Sequence, residues 1–301
     1  MRYAIVGFGP GSAPVEISEE EYRRVRLAKQ KILRSLAVED KFDLVVTNYE
    51  DFEREILGLA LHQMVYSDLS WSSMHSDRQT LNRRVLNLLS AGRLYIDQVM
   101  HDTSEDPPLA ERIRKKAWEQ YDTRLGYRVM EALRNYTQHR ALSVDQLSFS
   151  SSWVPPGELK HLEYRAEPFI ALQALREDER VKRSVVADLE PIGPDVPLTP
   201  LIRDYVEGLS VIHQEFRECA QGAIPTSEAS FNWVWERCNA GSGSRQKAAR
   251  ILESDADGTW TSEDHIFQSL IAHRNDLVTK NQALTNLARR YVSGACELTG
   301  N

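Results

Sequence analysis

RQTLNRRVLNLLSAGRLYIDQVM, residues 78–100, has the residue spacing of a long amphipathic helix. Its apolar residues recur at steps of three and four, which places them on one helix face: Leu81, Val85, Leu88, Leu89, Tyr95, Ile96 and Val99. Residues 109–139 repeat the pattern with Trp118, Tyr121, Leu125, Val129, Ala132 and Tyr136. A helix with one apolar face must bury that face against another element. We therefore predict that these two helices belong to a helical bundle.

The same helical spacing occurs elsewhere in the chain. It is present in residues 19–37, 50–66, 197–220 and the segment from residue 262 onward. The first of these begins with a capping box formed by Ser18 and Glu21. Residues 142–170 differ, because short apolar alternations mix there with Ser, Pro and Gly. The sequence predicts a mainly α protein with a small β-hairpin or loop insertion around residues 142–170.

We predict that the chain folds as two parts. Residues 1–75 form an N-terminal helical segment that packs on the bundle, and residues 76–301 form one helical domain with the insertion and C-terminal helices. The chain opens with YAIVGFGPGS, residues 3–12. A dinucleotide-binding turn needs a helix that starts within its glycines, and Pro10 interrupts this one. We predict a flexible N-terminus or an edge strand instead.

Composition excludes several classes of protein. The formal net charge is -7 and the pI is about 5.7, which argues against nonspecific coating of nucleic acid. No run reaches the roughly 18 to 20 apolar residues of a membrane span, and the N-terminus is a poor signal peptide. The 3 cysteines are widely spaced and predict reduced thiols. We predict a cytoplasmic protein without membrane contact, metal or cofactor.

The stretch EALRNYTQHR, residues 131–140, gathers groups that bind phosphate and move protons. They are Arg134, Asn135, Gln138, His139 and Arg140. Arginine holds phosphate in a two-pronged hydrogen-bonded fork, and histidine titrates near neutral pH. Such groups suffice for RNA cleavage without a metal. The alternative is a solvated helix end, because Arg and His also stabilise a helix C-terminus through its dipole.

Helix geometry divides these residues between two faces. On an ideal helix, His139 lies about 140° around from Arg134. Asn135 and Arg128 share the flank of His139. Tyr127 and Met130 join Arg134 on a second, partly apolar face opposite the core stripe. That second face predicts burial against another body, such as a second subunit.

Three residues on other helices are candidates for the surroundings of this site. Arg93 forms an i,i+4 pair with Asp97 or faces the motif helix. Tyr205 and His213 are two helical turns apart and share a face. Core packing is one interpretation of this pair, and RNA stacking or support of the catalytic residues is the other.

The stretch resembles the signature of HEPN domains, which is an Arg, four to six residues, and a His, with a polar residue after the Arg. Arg134, Asn135 and His139 fit it, and the helix LNRRVLNLLSAGRLYIDQV precedes them. The resemblance covers roughly residues 79–144. It implies a HEPN-type helical bundle that dimerises near the motif.

The resemblance also implies a function, namely a metal-independent endoribonuclease acting as a toxin or phage-defence effector. Arg134 and His139 would be its catalytic pair, with support from Asn135, Gln138, Arg140 and Arg128. Its partners would be RNA, a second copy, and an antitoxin or defence-system protein. The alternative is a catalytically inactive HEPN-like module that binds a protein or nucleotide. A nuclease needs Arg134 and His139 exposed in a shared cleft, whereas a binding module allows a buried His139.

Overall fold

The computed structural model describes residues 1–8, 12–68, 70–154, 161–240 and 248–292. The chain divides into two compact units. Unit 1 comprises Met1–Asp43, Tyr95–Glu111 and Gln214–Gln282, and unit 2 comprises Leu44–Leu94, Arg112–His213 and Ala283–Asn301. This division differs from the expected boundary near residue 75, because each unit is assembled from three separate segments of the chain.

Helices dominate the described residues, which confirms the mainly α class. They are α1 (Glu19–Tyr66), α2 (Trp71–Asp102), α3 (Pro107–Thr123), α4 (Leu125–His139), α5 (Leu172–Arg176), α6 (Arg183–Leu189), α7 (Leu198–Ala220), α8 (Ala223–Asn239) and α9 (Gln268–Lys280). Short 3-10 turns occupy Glu190–Ile192 and Leu287–Arg289. The capping box of α1 is present, since the Glu21 amide donates to Ser18 Oγ and the Ser18 amide to the Glu21 carboxylate.

Unit 1 contains an antiparallel sheet that sequence analysis did not predict. Its strands are β1 (Tyr3–Gly7), β2 (Val15–Ile17), β6 (Ala248–Ser254) and β7 (Trp260–Phe267), in the order β2-β1-β6-β7. The prediction of an edge strand or a flexible N-terminus was wrong, because β1 lies inside the sheet. The prediction of helix from residue 262 is confirmed for α9 but is wrong at its start, since β7 extends to Phe267. The sheet buries its apolar side against the start of α1 and against α8.

Unit 2 contains the predicted hairpin. β3 (Gln146–Val154) pairs with β4 (His161–Ala171) in antiparallel register, from Gln146 opposite Phe169 onward. A third short strand, β5 (Asp195–Pro197), pairs with the end of β4. The hairpin is therefore one part of a three-stranded sheet that follows directly on α4.

The single helix predicted over residues 109–139 is broken at Arg124, whose backbone is extended with φ -110° and ψ 119°. Its guanidinium donates to Asp204 at 2.8 Å and Glu207 at 3.1 Å on α7. The Gly126 amide donates to the second Asp204 oxygen at 2.8 Å. Asp204 thus ties the start of α4 to α7. The expected core stripe is interrupted accordingly, and Trp118 is 61% exposed.

Gly126 permits this close approach, and we expect Gly126→Ala to destabilise the fold by about 1–3 kcal/mol. An added Cβ would lie 2.3 Å from the backbone oxygen of Leu201, which cannot move without shifting α7. Urea denaturation measures the loss. Gly58→Ala is the matched control, because a Cβ on Gly58 meets nothing within 4 Å. That control should gain up to about 1 kcal/mol from helix propensity. An equal response of the two variants would contradict the steric explanation.

Candidate active site at the end of α4

The two motif residues differ in exposure. α4 ends at His139, and the Arg140 amide closes the last turn on the Tyr136 carbonyl at 2.9 Å. Gln138, His139 and Arg140 are exposed, whereas Asn135 is half-buried. The Arg134 side chain keeps only 20% of its accessible surface. The helix end therefore presents the imidazole to solvent and holds the guanidinium mostly inside.

Arg134 is held by its neighbours on α4. Its Nη2 donates to Asn135 Oδ1 at 2.8 Å, and its Nε lies 3.8 Å from the Glu131 carboxylate. Nε is buried and, within the described part of the chain, has no hydrogen-bond partner. A buried donor without a partner costs free energy unless a ligand or water satisfies it. Arg134 therefore retains an unused hydrogen-bond donor.

Two buried tyrosines, Tyr205 and Tyr127, lie within electrostatic reach of Glu131. Tyr205 is fully buried, and burial raises its pKa well above the ordinary value, with a further increase from the Glu131 charge. Its hydroxyl is hydrogen-bonded to Glu131, and the positive charge of Arg134 opposes the increase. Gly92 leaves the space for that hydroxyl, since a Cβ there would lie 2.3 Å from Tyr205 Oη. Tyr205 is therefore packed in the core, within electrostatic reach of Arg134.

Tyr127 and Arg93 extend the same cluster. The Tyr127 and Tyr205 rings meet edge to face at 5.2 Å. Burial raises the pKa of Tyr127, and the Arg93 charge opposes this. Tyr127 and Met130 are buried within the chain, at 4% and 0% exposure. The predicted burial of this face is confirmed for Tyr127 and Met130, and the body that covers Tyr127 is α7 of the same chain.

The remaining predicted residues serve other contacts. Arg128 donates to the carbonyls of Tyr121 and Asp122 and to the Asp188 carboxylate at 2.9 Å, so it fixes the end of α3. Arg140 is paired with the carboxylate and carbonyl of Glu177. Fully buried His213 is out of reach of a bound polymer.

Among the described residues, His139 makes no hydrogen bond, ion pair or ring contact with another side chain. The structure therefore brings Arg134 together with Asn135, Glu131 and Tyr205, and leaves His139 separate at the exposed helix end. Sequence reasoning missed Glu131, although its i,i+3 spacing to Arg134 predicts an ion pair. It missed Gly92 because only the fold places a tyrosine hydroxyl beside that glycine.

The buried tyrosines predict a loss of stability at alkaline pH. Folded Tyr205 and Tyr127 hold their protons above pH 10, whereas unfolded tyrosine releases its proton near pH 10. The contribution of these two tyrosines to the free energy of unfolding is therefore complete below pH 10 and is lost as the pH rises further. Each contributes a slope of about 1.4 kcal/mol per pH unit in that range. Urea denaturation at several alkaline pH values should show a shallower decline for Tyr205→Phe. A parallel decline would contradict the assignment.

Unit 1 contains a separate polar cavity of about 510 Å³. Arg217 and Arg274 line it together with residues of α7, α8 and α9. Arg217 is anchored there by Glu39, which is fully buried. The cavity gave no signal in the sequence, because its walls come from distant parts of the chain.

No protein-family model, curated protein or solved structure matches this chain. Within the described ranges, no cluster of three His, Cys, Asp or Glu side chains is arranged to hold a metal ion. The helices of those ranges also lack any stretch long and apolar enough to cross a membrane. The HEPN resemblance accordingly rests on the motif and its helical setting.

Proposed function

We propose that this protein is a metal-independent endoribonuclease of HEPN type. Two observations on α4 carry the proposal: His139 is exposed to solvent, and the buried Nε of Arg134 has no hydrogen-bond partner among the described residues. A phosphate oxygen is the acceptor that such a donor favours. Asn135 and Glu131 hold the guanidinium in place before substrate arrives.

The proposed reaction is an internal transfer within RNA. A base removes the proton of a 2′-hydroxyl, and the oxygen attacks the adjacent phosphorus. The bond from phosphorus to the 5′-oxygen breaks, and an acid protonates that oxygen. The products are a 2′,3′-cyclic phosphate and a 5′-hydroxyl end. His139 supplies one proton-transfer group per chain, and Arg134 stabilises the charge that develops on the phosphate.

We infer that the active form is a homodimer. One chain offers a single exposed His139 and an Arg134 that faces a different side of α4. Two chains related by a two-fold axis would supply two histidines and two arginines to one cleft. A cytoplasmic toxin or phage-defence role, with an antitoxin or defence-system partner, follows from the HEPN resemblance and is part of this proposal.

The decisive experiment incubates purified protein with varied RNAs in EDTA and identifies the product ends. Cleavage that persists in EDTA and leaves cyclic phosphate ends supports the proposal. Cleavage that requires a divalent metal overturns it.

A second candidate is a binding module without catalysis, and the ion pair between Arg134 and Glu131 favours it. That carboxylate already neutralises part of the guanidinium charge. A module of this kind would bind RNA or a protein without cleaving RNA under any condition, and its Arg134 and His139 variants would alter affinity alone.

A further inference from the structure

Two ring pairs flank the connection between α1 and α2 in unit 2. His62 packs on Tyr66 with ring centres 4.8 Å apart, and Trp71 packs on His75 at 4.9 Å with only 11° between the ring planes. Tyr66 is 69% exposed and Trp71 is 78% exposed. Trp71 therefore has one face covered by an imidazole and most of its remaining surface in solvent, although burial of such a ring is strongly favourable.

Trp71 borders a cavity of about 210 Å³. His75, Arg78 and Gln146 are among the residues that line it. This volume is below the roughly 300–1,000 Å³ of most small-molecule pockets, so it suits a single ring system better than a whole cofactor. Gln146 is exposed, and its amide offers both a donor and an acceptor to the edge of such a ring.

The cavity wall is held in place before any ligand binds. Arg78 donates to the Asp145 carbonyl at 2.8 Å. Asn82 and Val144 exchange two hydrogen bonds of 3.1 and 2.8 Å, and both residues are buried. These contacts fix the start of β3 against α2. Little ordering is therefore needed when a ring enters.

The same wall is close in sequence to the candidate active site. It begins a few residues after Arg140, where the chain passes from α4 into β3. Burial and the charge of Asp145 together raise the pKa of Tyr136, which follows Asn135 on α4. Asp145 therefore lies within electrostatic reach of the motif helix.

The local charges favour a base over a phosphate. The cavity lining contains Arg78 and Asp145, and Asp68 and Asp77 lie close by in the sequence. Burial raises the pKa of Asp77, and the nearby Glu55 and Asp68 raise it further while His62 opposes them. An accumulation of carboxylates repels a phosphate chain. A neutral, planar base itself carries no charge for these carboxylates to repel, and it gains stacking energy on the tryptophan.

We propose that Trp71 is a stacking platform for one unpaired base of RNA, with His75 as its backing and Gln146 at the base edge. This inference rests on the proposed ribonuclease function and adds a substrate requirement to it. In a duplex both faces of each base are covered by stacking, so the platform selects single-stranded or looped RNA.

The test measures binding of a fluorescently labelled single-stranded RNA, and of the same strand in a duplex, to the His139→Ala protein, in which bound RNA stays intact. Adding Trp71→Ala should weaken single-strand binding about 5- to 150-fold, the range measured for one stacked base. Trp71→Phe should keep most of the affinity. Trp118→Ala is the matched control, because Trp118 is 61% exposed and also belongs to unit 2. It should leave binding unchanged.

Salt dependence distinguishes stacking from phosphate binding. Loss of a stacked base should leave the slope of log Kd against log salt unchanged, because no counterion is released at Trp71. Equal RNA affinity of the Trp71→Ala and parent proteins overturns the inference. A Trp71→Ala protein whose oligomeric state changes while its RNA affinity does not also overturns it. The latter result would assign Trp71 to a protein contact.

The two proposals fail separately. If RNA cleavage depends on His139 but binding is indifferent to Trp71, the ribonuclease stands and the platform does not. If Trp71-dependent binding of single-stranded RNA occurs without any cleavage, the stacking platform is supported and the ribonuclease function is contradicted.

Discussion

Replacing His139 by alanine is expected to lower the rate of RNA cleavage in EDTA by about 10²- to 10⁴-fold. That range is the usual contribution of a positioned proton-transfer group. His139 is exposed and makes no side-chain contact within the described residues, so its removal should leave the folded state intact. Circular dichroism and urea denaturation check this directly. Quantified cleavage of one labelled RNA under single-turnover conditions provides the rate.

His101 supplies the matched control for this variant. It is exposed in the last turn of α2, just as His139 is in the last turn of α4. If histidine at a helix end serves only to complement the helix dipole, His101→Ala and His139→Ala should behave alike. Cleavage that is equal in the parent and both variants would assign the activity to a contaminant or another site.

Arg134→Ala should cause a comparable loss, and Arg134→Lys should restore little of it. Lysine carries the charge but lacks the planar fork that reaches Asn135 and a phosphate together. Because Arg134 also contacts a buried cluster, its variants are compared only at temperatures where denaturation shows them folded. Recovery of full activity by lysine would argue for a simple charge effect.

A mixture of the two inactive variants tests the shared cleft. If one arginine and one histidine suffice in a two-fold cleft, the heterodimer of Arg134→Ala and His139→Ala chains keeps one of each. Activity should then return after subunit exchange. Lack of recovery, with heterodimers demonstrated by mass spectrometry, would show that the cleft needs both histidines or both arginines.

The largest expected effect on stability comes from Glu39→Ala, which should lower the free energy of unfolding by about 3–5 kcal/mol. Glu39 is fully buried, and its two oxygens accept from Arg217 Nε at 3.0 Å and Nη2 at 2.6 Å. Arg217 Nη1 donates to the Asn281 carbonyl at 2.7 Å. Removing the carboxylate leaves a mostly buried guanidinium without its counter-charge, and desolvation is then uncompensated.

Glu19→Ala is the control for this stability measurement. Glu19 also lies on α1 and pairs with Arg23, but both side chains are largely exposed. Pairs of that kind contribute about 0.2–1 kcal/mol. A double replacement of Glu39 and Arg217 by methionine should recover much of the loss, since no unpaired charge remains. A small effect of Glu39→Ala alone would mean that water reaches Arg217.

Local patterns predicted the local structure of this chain. The spacing in residues 78–100 predicted α2, and alternation with turn residues predicted the hairpin of β3 and β4. Arg134 and His139 were identified because their roles depend on residue chemistry and position on one helix. Whether they act in catalysis stays a prediction.

Contacts between residues far apart in the sequence explain why some predictions from the sequence were wrong. In the sequence, Arg124 looks like an ordinary helical residue. The helix break there is associated with its hydrogen bonds to Asp204 and Glu207, which the sequence does not show. Periodicity detects an apolar face but does not identify its partner, so burial of the Tyr127 face was predicted without α7 being identified as the element that covers it. The position of β1 depends on a strand far along the chain.

The pairing of β1 with β6 affects when unit 1 can fold during synthesis. The Arg2 amide donates to Ser254 Oγ, a hydrogen bond between positions 252 residues apart. At roughly 5–20 residues per second, a ribosome needs about 13 to 50 seconds to synthesise the partner of β1. Throughout that interval, the apolar residues Ala4 to Val6 and their unpaired backbone groups lack their final cover. The sheet of unit 1 therefore cannot be completed until the residues of β6 have been synthesised.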